Sequence, residues 1–130
     1  MSKASRAERV STWLARVTTA KQPPGSIVAY NVGVTETPKG YSAYLIGAEQ
    51  YDPANDDWAC REAFTPKERY LPLPRGDGNW EQALADVITG VRQFLSTPAG
   101  QASFLAQAVA VTVGFDDGGL ERVYPVPPSE

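Results

Sequence analysis

Two neighbouring runs that favour extended backbone, residues 27–35 and 41–48, set the main limit on how this 130-residue chain folds. In the first run the bulky residues fall at every second position: Val28, Tyr30, Val32 and Val34. This period is typical of a strand, because successive side chains of a strand point to opposite faces. The turn sequence Thr37-Pro38-Lys39-Gly40 separates the two runs. The pattern therefore predicts an antiparallel β-hairpin.

A helix is predicted before this hairpin. Ser5 and Glu8 have the spacing of a capping box. Apolar residues then recur with helical period at Val10, Trp13, Leu14 and Val17. The pattern predicts a helix over about residues 6–19, which Pro23-Pro24-Gly25 brings to an end.

A second helix is predicted to begin after Asn79, a suitable N-cap, and to end near Ser96. Its apolar stripe consists of Trp80, Leu84, Val87, Ile88, Val91, Phe94 and Leu95. Thr97-Pro98 predicts a further short helix, since proline is favoured at the first helical position. Both Trp80 and Trp13 lie on apolar stripes, so both are predicted to be core residues.

Two segments in the middle of the chain are predicted to be extended. Residues 58–64 favour a third strand, which follows the polar loop of residues 52–57. Residues 69–74 are apolar but contain Pro72 and Pro74. These prolines restrict that segment to an edge strand or an extended connection.

A second hairpin is predicted near the end of the chain. Residues 108–115 alternate between large and small side chains, and residues 120–124 form the returning strand. The sequence Asp116-Asp117-Gly118-Gly119 lies between them and is typical of a hairpin turn. The proline-rich residues 125–130 are predicted to form a flexible tail.

Together these elements predict a single α+β domain over residues 1–130, with a mostly antiparallel sheet and the helices packed on one face. A doubly wound parallel sheet would need strands and helices in regular alternation, which this order lacks. The composition, with 42% hydrophobic and 21% charged residues, is typical of a globular protein.

The chain contains no histidine and one cysteine, Cys60. Histidine is the commonest general base and metal ligand, so its absence disfavours catalysis and metal binding. A single thiol cannot form an intramolecular disulfide, and Cys60 is predicted to be buried and inert. These features favour a binding protein without a cofactor.

Charge and the N-terminal residues limit the choice of partner and compartment. The formal net charge is −3 and the basic residues are scattered, which disfavours nucleic-acid binding. Residues 1–6 are polar and lack the apolar core of a signal peptide, and no run reaches the length of a membrane span. The sequence therefore predicts a cytoplasmic protein with neither a nucleic acid nor a membrane as its partner.

Two acidic segments supply the candidate partner-binding residues, which are Tyr51, Asp52, Asp56, Asp57, Asp116 and Asp117. Tyrosine beside exposed carboxylates is typical of protein interfaces. The same aspartates can serve only as solvated turn residues, and neither segment has the ligand spacing of a calcium loop. Trp58 is predicted to anchor its loop to the core rather than to contact a partner.

Two other functions remain open from the residues. A small enzyme or ligand-binding domain would use Asp or Glu in a cleft between sheet and helix, lined by Tyr30, Tyr41 and Tyr44. A structural subunit would associate with itself, as a homodimer for example, through an exposed sheet edge.

The segments Tyr51-Asp52 through Asp56-Asp57-Trp58-Ala59-Cys60 and Val113-Gly114-Phe115-Asp116-Asp117-Gly118-Gly119-Leu120 resemble those of small bacterial immunity proteins. Such proteins are encoded beside polymorphic or contact-dependent toxins. The likeness extends over about residues 27–123 in the order of the elements. It implies a non-enzymatic protein that binds one cognate toxin and blocks its active site or an essential conformational change. An acidic protein of this kind often faces a basic toxin, where opposite charge speeds encounter.

Overall fold

The computed structural model describes residues 5–76, 79–116 and 118–125. In these residues five strands form one sheet in the order β3-β2-β1-β4-β5. The central pair β1–β4 is parallel and the other three pairs are antiparallel. In chain order the elements are α1 (Arg6–Ala20), β1 (Ala29–Thr37), β2 (Gly40–Ala48), a 3₁₀ helix (Asp56–Cys60), β3 (Tyr70–Pro74), α2 (Trp80–Leu95), α3 (Pro98–Ala102), a second 3₁₀ helix (Phe104–Gln107), β4 (Ala110–Phe115) and β5 (Glu121–Tyr124). The predicted α+β class with a mostly antiparallel sheet is confirmed.

The predicted helix starts are confirmed by their hydrogen bonds. The Ser5 hydroxyl accepts the Glu8 N–H at 3.1 Å, while the Ser5 N–H donates to the Glu8 carboxylate, which completes the capping box. Asn79 caps α2 through its carboxamide oxygen, which accepts two backbone N–H groups. Thr97 caps α3 in the same way, with Pro98 in its first turn. These side chains satisfy donors that a helix start leaves without partners.

Both predicted hairpins are present. β1 pairs with β2 in the register Ala29↔Ala48 through Thr37↔Gly40, so β1 starts and ends two residues later than the predicted run of residues 27–35. β4 pairs with β5 through an irregular register. β3 lies at the edge of the sheet beside β2, as its prolines predict.

The helices α1 and α2 pack together on one face of the sheet and enclose the main core. Its largest fully buried side chains include Trp13 and Leu14 from α1, Val87, Val91 and Phe94 from α2, and Val32, Val34 and Leu45 from the sheet. Gly90 lies where the helices meet, because a β-carbon added there would be 2.6 Å from the Ala7 carbonyl oxygen. The glycine therefore permits a close approach of α1 and α2.

The predicted third strand over residues 58–64 is wrong. Asp56–Cys60 forms a 3₁₀ helix, which starts where the Asn55 carboxamide accepts the Asp57 N–H at 2.9 Å. Only Phe64 joins the sheet, through one bridge to Gly47. Asn and Asp offer the backbone local hydrogen bonds, and here these bonds compete successfully with an extended run.

Two predictions of burial are also wrong. Trp80 is 54% exposed because it is the first residue of α2, where the helical Cα–Cβ bond points back past the end of the helix. Cys60 is exposed at the last position of its 3₁₀ helix, while Trp58 takes the inward position. The predicted tail falls largely on residues 126–130, which lie outside the described residues.

Tyr30 gives a pH dependence that can be measured. Burial raises the pKa of Tyr30 from 10.0 to about 12. An unfolded tyrosine loses its proton near its ordinary pKa, so the stability that the protonated form contributes is complete below pH 10. We expect it to fall as the pH rises from 10 to 12, by at most about 1.4 kcal/mol per pH unit.

Chemical denaturation of the Tyr30→Phe variant between pH 8 and pH 12 tests this expectation. The variant is expected to lose less stability over that range than the natural protein. Tyr70→Phe serves as the control, because Tyr70 is 54% exposed. If the natural protein and Tyr30→Phe lose the same stability as the pH rises, the expected contribution of the buried Tyr30 phenol is contradicted.

Candidate protein-binding surface

The acidic loop, residues 51–58, is held in shape by hydrogen bonds among its own residues. The Asp52 carboxylate accepts the Ala54 N–H at 2.9 Å, and the Asp52 carbonyl accepts the Asn55 N–H at 3.3 Å. The Asn55 side chain then starts the 3₁₀ helix. The loop therefore has a defined conformation before any partner binds, as side-chain to backbone bonds of this kind provide.

Trp58 anchors the acidic loop to the sheet face opposite α1 and α2. It is 5% exposed and packs with Ala29 and Ala48 in a small second core. The half-buried Tyr51 ring contacts the Trp58 ring edge to face, with 5.1 Å between their centroids. The prediction that Trp58 acts as an anchor is confirmed, and this anchor leaves Asp52, Asp56 and Asp57 exposed.

The acidic loop contacts the connection between β4 and β5. The Asp56 carboxylate accepts the backbone N–H of Leu120 at 3.2 Å. Leu120 also packs against the second core that contains Trp58. Two segments that are 64 residues apart in sequence therefore meet on the same sheet face.

Two open depressions flank the acidic loop. One, of about 560 Å³, is bordered by Glu49, Asp52, Asp57, Arg61 and the exposed Val109. The other, of about 310 Å³, is bordered by Asp52, Asp56, Leu120 and Arg122. Carboxylates outnumber cations on this surface, so it favours a partner surface of positive charge.

Asp116 lies beyond the acidic loop and has a different setting. The Tyr44 hydroxyl donates a hydrogen bond to the Asp116 carboxylate. Burial, followed by this bond, raises the pKa of Tyr44, so the phenol keeps the proton that it donates in this bond. The Tyr44 ring lies over Gly33, where a β-carbon would be 2.1 Å from the ring. The predicted site residue Asp117 lies outside the described residues.

The alternative cleft lined by three tyrosines is wrong. Tyr30 and Tyr41 lie in the main core on the helix side of the sheet. The Tyr44 ring crosses the opposite face towards Asp116, so the three side chains do not share a cleft. Strand geometry accounts for this, because Tyr41 and Tyr44 are three residues apart on β2.

In residues 5–76, 79–116 and 118–125, no group of three or more acidic or cysteine side chains is placed to hold a metal ion. Within the same residues no helix is both long and apolar enough to cross a bilayer.

Sequence reasoning missed a second surface that surrounds the exposed Trp80. Trp80 and Phe115 contact each other edge to face, and Glu36 and Asp116 lie beside them. The sequence contained one signal that Trp80 is exposed. Trp80 directly follows the N-cap residue, and the first residue of a helix has no preceding turn to cover it.

Comparison of the chain with protein-family models, with curated protein sequences and with solved structures gave no match. The resemblance to immunity proteins therefore stays a prediction, and a function has to be argued from the residues of this chain.

Proposed function

We propose that the chain is a non-catalytic bacterial immunity-type protein that binds and neutralises a cognate protein toxin in the cytoplasm. The acidic loop provides the main contacts through Tyr51, Asp52, Asp56 and Asp57. Asp116 on the connection between β4 and β5 would add contacts, as would Asp117, which lies outside the described residues.

The observation that carries this proposal is the junction of the acidic loop with the connection between β4 and β5. The hydrogen bond from the Leu120 N–H to the Asp56 carboxylate joins these two chain segments on the sheet face that α1 and α2 leave uncovered. A surface made of two chain segments offers a partner a wider and more specific set of contacts than a single turn. Protein–inhibitor complexes bury a large area on each partner, which a single turn does not supply.

The rigidity of the acidic loop supports binding over mere solvation. The bonds of Asp52 and Asn55 fix the loop, and Trp58 holds its base in the second core. A loop that is already ordered loses little conformational entropy when a partner binds. Tyr51 at its edge is half-buried and belongs to a residue type that is enriched among strong interface contacts.

Charge supports the choice of a basic partner. Asp52, Asp56 and Asp57 are exposed on one loop, with Glu49 across the neighbouring depression. Opposite charge on a toxin would speed its encounter with this surface and exclude acidic competitors.

The proposal requires that a toxin gene lie beside this gene, and binding of that toxin by the purified chain tests it. Asp56→Asn with Asp57→Asn removes two charges but keeps an acceptor oxygen for the Leu120 N–H. We expect affinity to fall roughly tenfold in calorimetry, because paired interfacial charges contribute on this scale.

The matched control raises the formal charge by the same two units at a distant place. Ala85→Lys with Thr89→Lys does so on exposed positions of α2, and its affinity is expected to stay within about twofold. Equal losses in both variants would refute the site. If the unmodified chain fails to protect cells from the neighbouring toxin, the proposed function is refuted.

A further inference from the structure

A groove lies where the carboxyl ends of β1 and β4 meet the start of α2. These two strands are parallel neighbours, so their ends lie side by side. The groove has a volume of about 610 Å³. Its lining, called the aromatic groove below, includes Val34, Glu36, Trp80, Phe115, Asp116 and Gly118.

The apolar wall of the aromatic groove is formed by two rings. Trp80 is 54% exposed and meets Phe115 edge to face, with 5.6 Å between centroids and 88° between planes. Phe115 in turn contacts the buried Tyr41 edge to face at 6.1 Å. The wall is therefore backed by the core, and the indole presents an open surface of the kind on which cations stack.

The polar side of the aromatic groove is negative. The Asp116 carboxylate accepts a hydrogen bond from the Tyr44 hydroxyl. Glu36 lies 3.2 Å from the Arg75 guanidinium, which also stands 5.7 Å from the centre of the Tyr41 ring. Arg75 thus pairs with Glu36 beside the groove, and Asp116 is the carboxylate of the groove lining that a partner's cation would meet.

We propose that the aromatic groove binds an arginine or lysine side chain presented by a partner protein. The cationic end would lie over the exposed Trp80 indole and face Asp116, while the aliphatic stem would pack on Phe115. Arginine suits this arrangement better than lysine, because its planar guanidinium can stack on an indole and bind a carboxylate at the same time. The inference rests on the groove's own rings and charges, and it does not depend on the partner being a toxin.

The three tryptophans of the chain allow a direct test by NMR. Their indole N–H signals report separately on the main core (Trp13), the acidic loop (Trp58) and the aromatic groove (Trp80). The probe is the peptide acetyl-Ala-Arg-Ala-amide, added to the full ¹⁵N-labelled chain. The comparison peptide contains citrulline, which has nearly the same shape as arginine but no charge.

The arginine peptide is expected to move the Trp80 indole signal in a saturable way and to leave those of Trp13 and Trp58 in place. The citrulline peptide is expected to bind at least about threefold more weakly, since it loses both the ion pair and the cation–ring contact. Asp116→Asn should weaken binding of the arginine peptide by roughly threefold. Glu121→Gln removes one charge from an exposed position on β5 and should have no effect.

Three results would overturn the inference. One is a Trp80 signal that does not move, and another is equal binding of the two peptides. The third is a shift confined to Trp58, which would place the cation on the acidic loop instead. The toxin-binding experiment with Asp56→Asn and Asp57→Asn does not affect these peptide titrations. The two proposals can therefore fail separately.

Discussion

Replacement of Trp13 with alanine is expected to lower the free energy of unfolding by about 3–5 kcal/mol. Trp13 is fully buried in the main core between α1 and the sheet. Its indole N–H also donates to the Glu68 carbonyl at 2.8 Å. The alanine variant would therefore leave a large cavity and remove the donor that fixes the segment before β3.

Urea denaturation followed by circular dichroism measures this loss. Trp80→Ala is the matched control, because it makes the same substitution at a ring that is 54% exposed. Its effect is expected to be about 1 kcal/mol, because the exposed ring loses only its edge-to-face contact with Phe115. Similar losses in the two variants would contradict the opposite environments that the structure gives to the two tryptophans.

Replacement of Gly90 with alanine is expected to destabilise the protein by about 2 kcal/mol, although alanine is the better helix former. The gain in helix propensity is about 1 kcal/mol. Against it, the new methyl group would lie 2.6 Å from the Ala7 carbonyl oxygen and 2.7 Å from the Val10 β-carbon. Backbone cannot yield as a flexible side chain does, so α1 and α2 must separate along their contact.

Thermal unfolding of the Gly90→Ala variant tests the close approach of the helices. Gly25→Ala is the control, since a β-carbon at Gly25 meets nothing within 4 Å. It is expected to change stability by no more than about 1 kcal/mol. A Gly90→Ala variant more stable than the natural protein would show that propensity outweighs the steric conflict.

Local patterns were sufficient for the elements whose partners lie nearby in sequence. The Ser5 capping box, the Asn79 N-cap and the two hairpins all depend on contacts between residues close along the chain. The parallel pairing of β1 with β4 has no such local signal. Its register joins Ala29 to Ala110, so only the packed sheet determines which strand lies beside β1.

The local structure of the candidate loop was predictable from the sequence, but its contact with the β4–β5 connection was not. The loop character of residues 52–57 and the anchoring role of Trp58 follow from side-chain chemistry. The bond between Asp56 and Leu120 depends on the folded sheet, so no spacing in the sequence indicates it. The helical period also misplaced Trp80, because the period alone does not show that the first residue of α2 directs its side chain back past the helix end.

Cys60 offers a practical consequence of the 3₁₀ helix at the end of the acidic loop. It is the chain's one thiol and it is exposed, two residues after the anchoring Trp58. A maleimide fluorophore would therefore attach at a single defined position of the natural protein, without engineering. A change in its emission when a candidate partner is added would test the proposed contacts of the acidic loop.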